Sequence, residues 1–299
     1  MDAVPAALGL SADQVAGLLA TAARAPSLHD SRPWRFRVLP DVIELWADPA
    51  RRLPAADPTG REQRLACGAS LYNLRLGLHG HGIRPLVTLH ADPRHPDLLA
   101  TVRYGGRKSP TPEQQSLLAA IPRRHTDRSP LSDVPVSPAE RGGLRRAAIE
   151  EGAWLHFVDD RDQRRAVVQL AAQAHGTQLG DPAYRDEAQQ WTAAPSNRIG
   201  VEQDPAIAVL SGHLFRASVE VGTGQALQRV LLAATVDGLS VSFLSQVIEI
   251  ERYREGLHPL IPGIHNPLVV LGIGRRSPVP ATSRAMTDLL TPTASGASD

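Results

Sequence analysis

Between Ser11 and Arg24 the apolar residues Val15, Leu18, Leu19 and Ala22 recur at helical spacing, and a serine at the start can accept a hydrogen bond from a free first-turn amide, so a helix is predicted over 11–24. The pattern then changes. Trp34, Phe36 and Val38 alternate with Arg35 and Arg37, Pro40 and Asp41 mark a turn, and "VIELWAD" returns, which predicts a hairpin with one face buried. From Leu65 onward Cys67, Leu71, Leu74 and Leu78 form the stripe of an amphipathic helix that stops in the glycines of "HGHG". "PLVTLHAD" and "LLATVRYGG" then read as two more strands.

The segment from Lys108 to Pro138 is rich in Pro, Ser and Thr and reads as a connection between two halves. Beyond it come a strand, "AWLHFVDD", a helix through Val167 to Ala172, an irregular stretch from about His175 to Gly212, a helix "GTGQALQRVLLAATVDGL" and a last strand "NPLVVLGIGRR". The two long helical segments resemble each other. Each begins at glycine, carries an amide (Asn73, Gln228) and closes at glycine (Gly82, Gly238), and the paired positions are separated by 155 and 156 residues. Such a match is compatible with two fused halves, although amphipathic helices also coincide by chance. The boundaries expected are 1–108 for the first half and 109–290 for the second, with a disordered tail over 291–299.

Composition narrows the class without choosing a function. A chain of 299 residues, 42% hydrophobic, can bury a full core as one large domain or two halves. Lys and Arg number 32 against 31 Asp and Glu, so no net field draws the chain to nucleic acid or to an acidic membrane, and any basic site must be local. Cys67 is the only cysteine, which excludes an internal disulfide and a cysteine-built zinc site. No apolar run approaches the ~20 residues that cross a bilayer, and the start lacks the pattern of a secretory signal, so a cytoplasmic protein is expected.

Two stretches carry candidate chemistry. "RRHTDR", Arg123 to Arg128, is the densest cationic cluster, and guanidinium forks beside a threonine hydroxyl match the oxygens of a phosphate monoester. In isolation it also fits a solvated basic turn. "APSLHDSRPWRF", Ala25 to Phe36, is stiffened by Pro26 and Pro33 and displays Ser27, His29, Asp30, Ser31 and Arg32 with little freedom, which suits either ligand binding or a self-bonded turn. Other arrangements are weaker. No GxSxG elbow is present, His79 and His81 make a poor metal site and a plausible helix cap, and "GTG" at Gly222 to Gly224 lacks the rest of a dinucleotide or P-loop fingerprint.

Taken together these residues resemble a known family. "APSLHDSRPWRF" is similar to the flavin loop of FMN-dependent nitroreductases, "RRHTDR" to their R-x-S/T-x-R phosphate motif, "DGLSVSFL" to their G-L-G-T turn, and "GRRSPVPATSRAM" to their closing strand and basic tail. The loop precedes the phosphate motif here, the reverse of the usual order, which resembles the Acg group of single-chain members in which one chain imitates a homodimer. The resemblance implies an α+β nitroreductase-like fold, a central sheet flanked by helices, built from two fused pseudo-subunit halves. It implies one FMN per chain, since no R-x-T-x-R precedes Ala25.

Carried onto this chain, the resemblance gives Arg124, His125 and Thr126 the FMN phosphate and ribityl chain, aided by Arg284, and brings Arg128 to the pyrimidine edge. Ser27, His29, Ser31 and Arg32 would reach the same flavin from the first half, while the backbone of Phe243, Leu244 and Ser245 would lie near N5 and O4. No side-chain nucleophile and no metal are implied. Asp30 would repel a phosphate, so it is expected to cap a turn or pair with Arg32. Two functions follow: an oxidoreductase passing hydride from NAD(P)H through FMN to an acceptor such as a nitroaromatic or quinone, or an FMN-storing protein whose flavin is covered by a lid over 175–212. A nucleic-acid partner and a membrane partner are not expected.

Overall fold

A computed structural model describes residues 4–90, 92–126, 134–191, 205–213, 217–244, 246–261 and 266–276. Helix α1 (Ala12–Ala22) opens with a reciprocal cap, in which the Ser11 hydroxyl accepts from the Gln14 amide and the Gln14 side chain accepts from the Ser11 amide. Strands β1 (Trp34–Leu39) and β2 (Val42–Ala47) form the expected hairpin, closing with Leu39 opposite Val42. Helix α2 (Arg61–Gly80) starts a turn earlier than the apolar stripe alone indicates, after Gly60 in the left-handed region, and is followed by β3 (Ile83–Leu89) and β4 (Leu98–Arg107).

The connection between the halves contains its own helix, α3 (Pro112–Ala120), capped by Thr111. The second half then runs through α4 (Pro138–Ile149), β5 (Trp154–Phe157), α5 (Arg161–Gly180), α6 (Pro182–Trp191), β6 (Ala206–Ser211) and α7 (Ala217–Val236). It ends with β7 (Ser240–Phe243), three short helices, α8 (Gln246–Glu249), α9 (Glu251–Glu255) and α10 (Leu257–Leu260), and β8 (Pro267–Gly274). The stretch expected to be irregular from 175 is therefore helical to Trp191 and extended from Ala206; residues 192–204 between them, like the tail expected to be disordered, lie outside the described residues.

The two halves repeat one topology. Each forms a four-stranded antiparallel sheet in the order first, second, fourth, third (β1-β2-β4-β3 and β5-β6-β8-β7), and each sends its long helix between the second strand and the third. Those helices, α2 and α7, pack against each other in the middle of the molecule. Asn73 and Gln228, the amides matched in the sequence, are both fully buried there, and Gln228 Nε2 donates to Asn73 Oδ1 at 2.8 Å. Gly68 and Gly224 let the two backbones touch.

The sheets differ in what covers them. In the first half one face packs on α1 and α2 through Leu18, Ile43, Leu45, Leu71 and Val102, while the other leaves Arg35, Arg37, Thr88 and Arg103 exposed, which accounts for the alternation along β1 and β3. In the second half both faces are covered: α4 and α7 on one side, and α5, α8 and α10 on the other through Val167, Ile207, Val209, Val247 and Leu257. All eight residues of β8 are buried in consequence, and its sequence is a continuous apolar run.

Candidate functional site

Pro26 and the buried Ala25 lead the chain out of α1 into a compact turn over Leu28–Asp30. His29, Asp30 and Arg32 all sit in the left-handed region, with φ of 52°, 54° and 47°. Such conformations cost non-glycine residues about 1–3 kcal/mol each and survive where surrounding bonds over-determine them. Those bonds are present. The Ser27 hydroxyl accepts from the Arg32 amide at 2.9 Å, Arg51 donates to the Ser31 carbonyl at 2.8 Å, and the Cys67 thiol donates to the Pro33 carbonyl. Arg32 grips Asp30 with two hydrogen bonds of 2.9 and 3.1 Å, the pairing anticipated for that aspartate. Ser31 is buried at 2% exposure, so its side chain lines a narrow cavity with Pro33, Asp57 and Glu62 and does not face solvent.

The cationic cluster follows α3. Arg124 is half-buried, and its Nε is enclosed without a hydrogen-bond partner. Burial pulls its pKa down, and the Asp30 carboxylate opposes the shift, so the strained loop of the first half lies within electrostatic reach of the cationic cluster. His125 is exposed. Its Nε2 meets the Arg276 guanidinium at 3.5 Å and its Nδ1 meets the Arg123 carbonyl at 2.9 Å. Thr126 is exposed beside it. Arg276, at the end of the last strand, adds a further cation that the sequence motif did not single out.

Other expected residues fare differently. Phe243 ends β7 opposite Leu271, and the Leu244 amide donates to the Val270 carbonyl at 2.9 Å, so that amide is already engaged by the sheet and is not a free donor for a ligand. Arg128, Ser245 and Arg284 lie outside the described residues. His81 caps the end of α2, as its position before Gly82 suggested, and among the described residues no group of His, Cys, Asp or Glu is placed to hold a metal ion. No helix among them is long and apolar enough to cross a membrane.

No family model matches the sequence. A Mycobacterium tuberculosis protein named "Putative NAD(P)H nitroreductase Rv3131" is 31% identical over 314 residues, covering 91% of this chain and 89% of that one. The chain belongs to the nitroreductase family. A second protein of the same organism, "Putative NAD(P)H nitroreductase acg", is 28% identical over 316 residues, with 93% of this chain and 95% of that one covered. The solved structure of a nitroreductase homologue from Anabaena variabilis superposes with a TM-score of 0.61 over 89% of this chain and 88% of that chain at 11% identity, a likeness of fold.

This nitroreductase chain fastens α6 directly onto the strained loop. Glu187, 9% exposed, accepts hydrogen bonds from the amides of Ala55 at 3.0 Å and Ala56 at 2.8 Å. Tyr184 meets the His29 ring edge-on with centroids 5.8 Å apart, and Trp191 lies under the Arg51 guanidinium at the same distance. Leu28 packs on Tyr184 and Ala188 together with Leu53 and Ala56. Sequence reasoning missed Glu187 and Arg51, and no local signal marks them: the bonds of Glu187 span 131 and 132 residues.

Proposed function

We propose that the chain binds one FMN where the loop at 27–32 approaches Arg124, His125 and Thr126, and that it serves as an NAD(P)H-dependent oxidoreductase acting on an acceptor such as a nitroaromatic or a quinone. The observation that carries this reading is the Arg124 guanidinium, drawn out of water with its Nε unpartnered and set among further cations, which is the arrangement a phosphate monoester satisfies. Arg124 would hold a phosphate oxygen, with His125 and Thr126 at the same group and Arg128 and Arg284 joining them. Ser27, His29, Ser31 and Arg32 would form the wall supplied by the first half, and Phe243, Leu244 and Ser245 the edge supplied by the second. When bound, FMN supplies hydride transfer at N5.

Within this reading the chain's own residues bind, orient and exclude water. The bonds from Ser27, Arg51 and Cys67 keep the wall in its strained form before a ligand arrives, so little ordering is left to be done on binding. Asp30 holds Arg32 and tempers the charge at Arg124. A division near residue 108, with each half lending part of the pocket, makes one chain the counterpart of a homodimer, and a monomer with a single flavin is the expected assembly.

The way α6 is tied across the loop favours a second reading, a storage protein whose flavin is covered. The two separate when NAD(P)H is added to the yellow protein without oxygen. Rapid bleaching supports the oxidoreductase; a flavin that stays oxidised while remaining tightly bound supports storage.

A further inference from the structure

Strand β4 runs on past the hairpin beside it. Its pairing with β2 ends at Val42 opposite Arg103, and residues 104–107 continue with β3 as their only partner strand. A notch is left beyond the hairpin turn, and the turn over residues 7–10 closes its far side: the Leu8 amide donates to the Pro40 carbonyl at 2.8 Å, and Ala7 and Leu10 exchange hydrogen bonds of 3.2 and 2.9 Å. The notch is a cavity of about 450 Å³, a size that takes a small organic molecule. It lies at the end of the first sheet away from the loop at 27–32, because that loop enters β1 at Trp34 and the hairpin turns at Leu39 and Val42.

Two cations converge there. Between the pairs Ile83–Arg107 and Pro85–Tyr104, two steps along β3 span three along β4, so β4 carries one extra residue; Gly106 takes a φ of 100°, and the Gly105 carbonyl accepts from Arg84 Nε at 2.9 Å. Side chains alternate along a strand, so the extra residue brings Arg107 to the face of Tyr104, while Arg103 reaches the notch from the other face. Tyr104, 46% exposed, and the buried Leu8 and Ile83 supply apolar lining. Arg35 and Arg37 of the same sheet pair with Asp48 and Glu44, but among the described residues Arg103 and Arg107 form no ion pair or hydrogen bond. Asp41, the one carboxylate of the lining, pairs with neither.

The second half uses the matching places in its topology for the cationic cluster. There the segment ahead of α4 meets the residues after β8, with His125 Nε2 at 3.5 Å from the Arg276 guanidinium; in the first half the segment ahead of α1 and the end of β4 enclose this cavity. The loop at 27–32 has no such counterpart, since residues 23–33 join α1 to β1 but only residues 150–153 join α4 to β5. The cavity therefore offers cations to an anion without a wall for a flavin ring. The geometry points to a binding site here, separate from the proposed flavin site, for a small molecule that carries a carboxylate or phosphate on an apolar body. The guanidinium forks of Arg103 and Arg107 hold the oxyanion, and the body lies against Tyr104, Leu8 and Ile83.

The test uses the full-length protein as purified, titrated with benzoate, with phenyl phosphate and with neutral benzyl alcohol, and reads hydrogen exchange in peptides covering 4–11 and 98–107. At least one of the two anions should slow exchange in both peptides where benzyl alcohol does not, and the anion that does so identifies the oxyanion. Arg103→Ala with Arg107→Ala should raise the concentration needed by at least about tenfold, and Asp41→Asn, which removes the opposing charge, should lower it by a few-fold. All three side chains are exposed, and neither arginine belongs to the proposed flavin site, so the result stands apart from that reading. Exchange that neither anion slows, or that is slowed equally in native and doubly substituted protein, would overturn the proposal. If the double variant does not fold, Asp41→Asn decides: a titration that coincides with the native one also overturns it.

Discussion

Gly68 and Gly224 face each other where α2 crosses α7 so closely that a Cβ on Gly68 would lie 2.1 Å from the Val221 carbonyl oxygen, and a Cβ on Gly224 2.1 Å from that of Leu65. The contact is reciprocal, each glycine meeting the backbone of the other's helix, as expected of two halves related by a pseudo-two-fold axis. Neither oxygen can rotate away as a side chain would. Gly68→Ala and Gly224→Ala should each force the helices apart and cost at least about 1–3 kcal/mol, read as a melting temperature lowered by several degrees, whereas Gly222→Ala, whose Cβ would meet nothing closer than 3.9 Å, should cost far less.

Arg124→Ala with Thr126→Ala removes a charged and a neutral donor from the proposed phosphate site. Charge-assisted hydrogen bonds contribute about 1.5–3 kcal/mol each, so the pair should weaken FMN binding by roughly 10- to 100-fold or more. Purified variant protein should be pale where the native protein is yellow, with an unchanged circular dichroism spectrum, because both residues lie outside the apolar core.

Much of this arrangement is legible in the sequence, for reasons that differ between elements. The hairpin of β1 and β2 is visible because one face of the first sheet meets water and imposes alternation, and α1 is visible because Ser11 caps an amphipathic stripe. The correspondence of Asn73 with Gln228 is visible in the spacing, but that the two amides bond each other is not. The helices α5 and α6 are not delimited, because α5 covers the far side of the second sheet and α6 the loop of the first half with only scattered buried positions, such as Val167, Ala171 and Tyr184, among many polar ones. The engagement of the Leu244 amide by Val270 and the grip of Glu187 on Ala55 and Ala56 depend on tertiary partners that no local pattern encodes.

Asp30 restrains the cationic site in two ways, by holding Arg32 and by acting on Arg124. Asp30→Asn should free the Arg32 guanidinium and remove a repulsive charge from an incoming phosphate. Tighter binding of FMN by a few-fold, with a steeper loss of affinity on adding salt, is the expected outcome in a fluorescence-quenching titration.

Glu187→Ala removes the acceptor that ties α6 to the 55–56 segment and leaves the buried Ala56 amide unpaired, at a cost of about 1–3 kcal/mol, along with the half-buried amide of Ala55. Release of α6 should expose the loop. The variant should be cut faster by protease near 182–191, and its flavin should be reduced faster by NAD(P)H than that of the native protein if α6 limits access.

The most direct test of the central claim is the flavin content of the native protein, measured by acid extraction and absorbance against protein concentration after loading with FMN. A site shared between the loop at 27–32 and Arg124 to Thr126, with no counterpart motif ahead of Ala25, predicts saturation at one FMN per chain, abolished by the Arg124 and Thr126 substitutions. A protein that takes up no FMN, or two per chain, or one that the doubly substituted variant retains with native affinity, would contradict it.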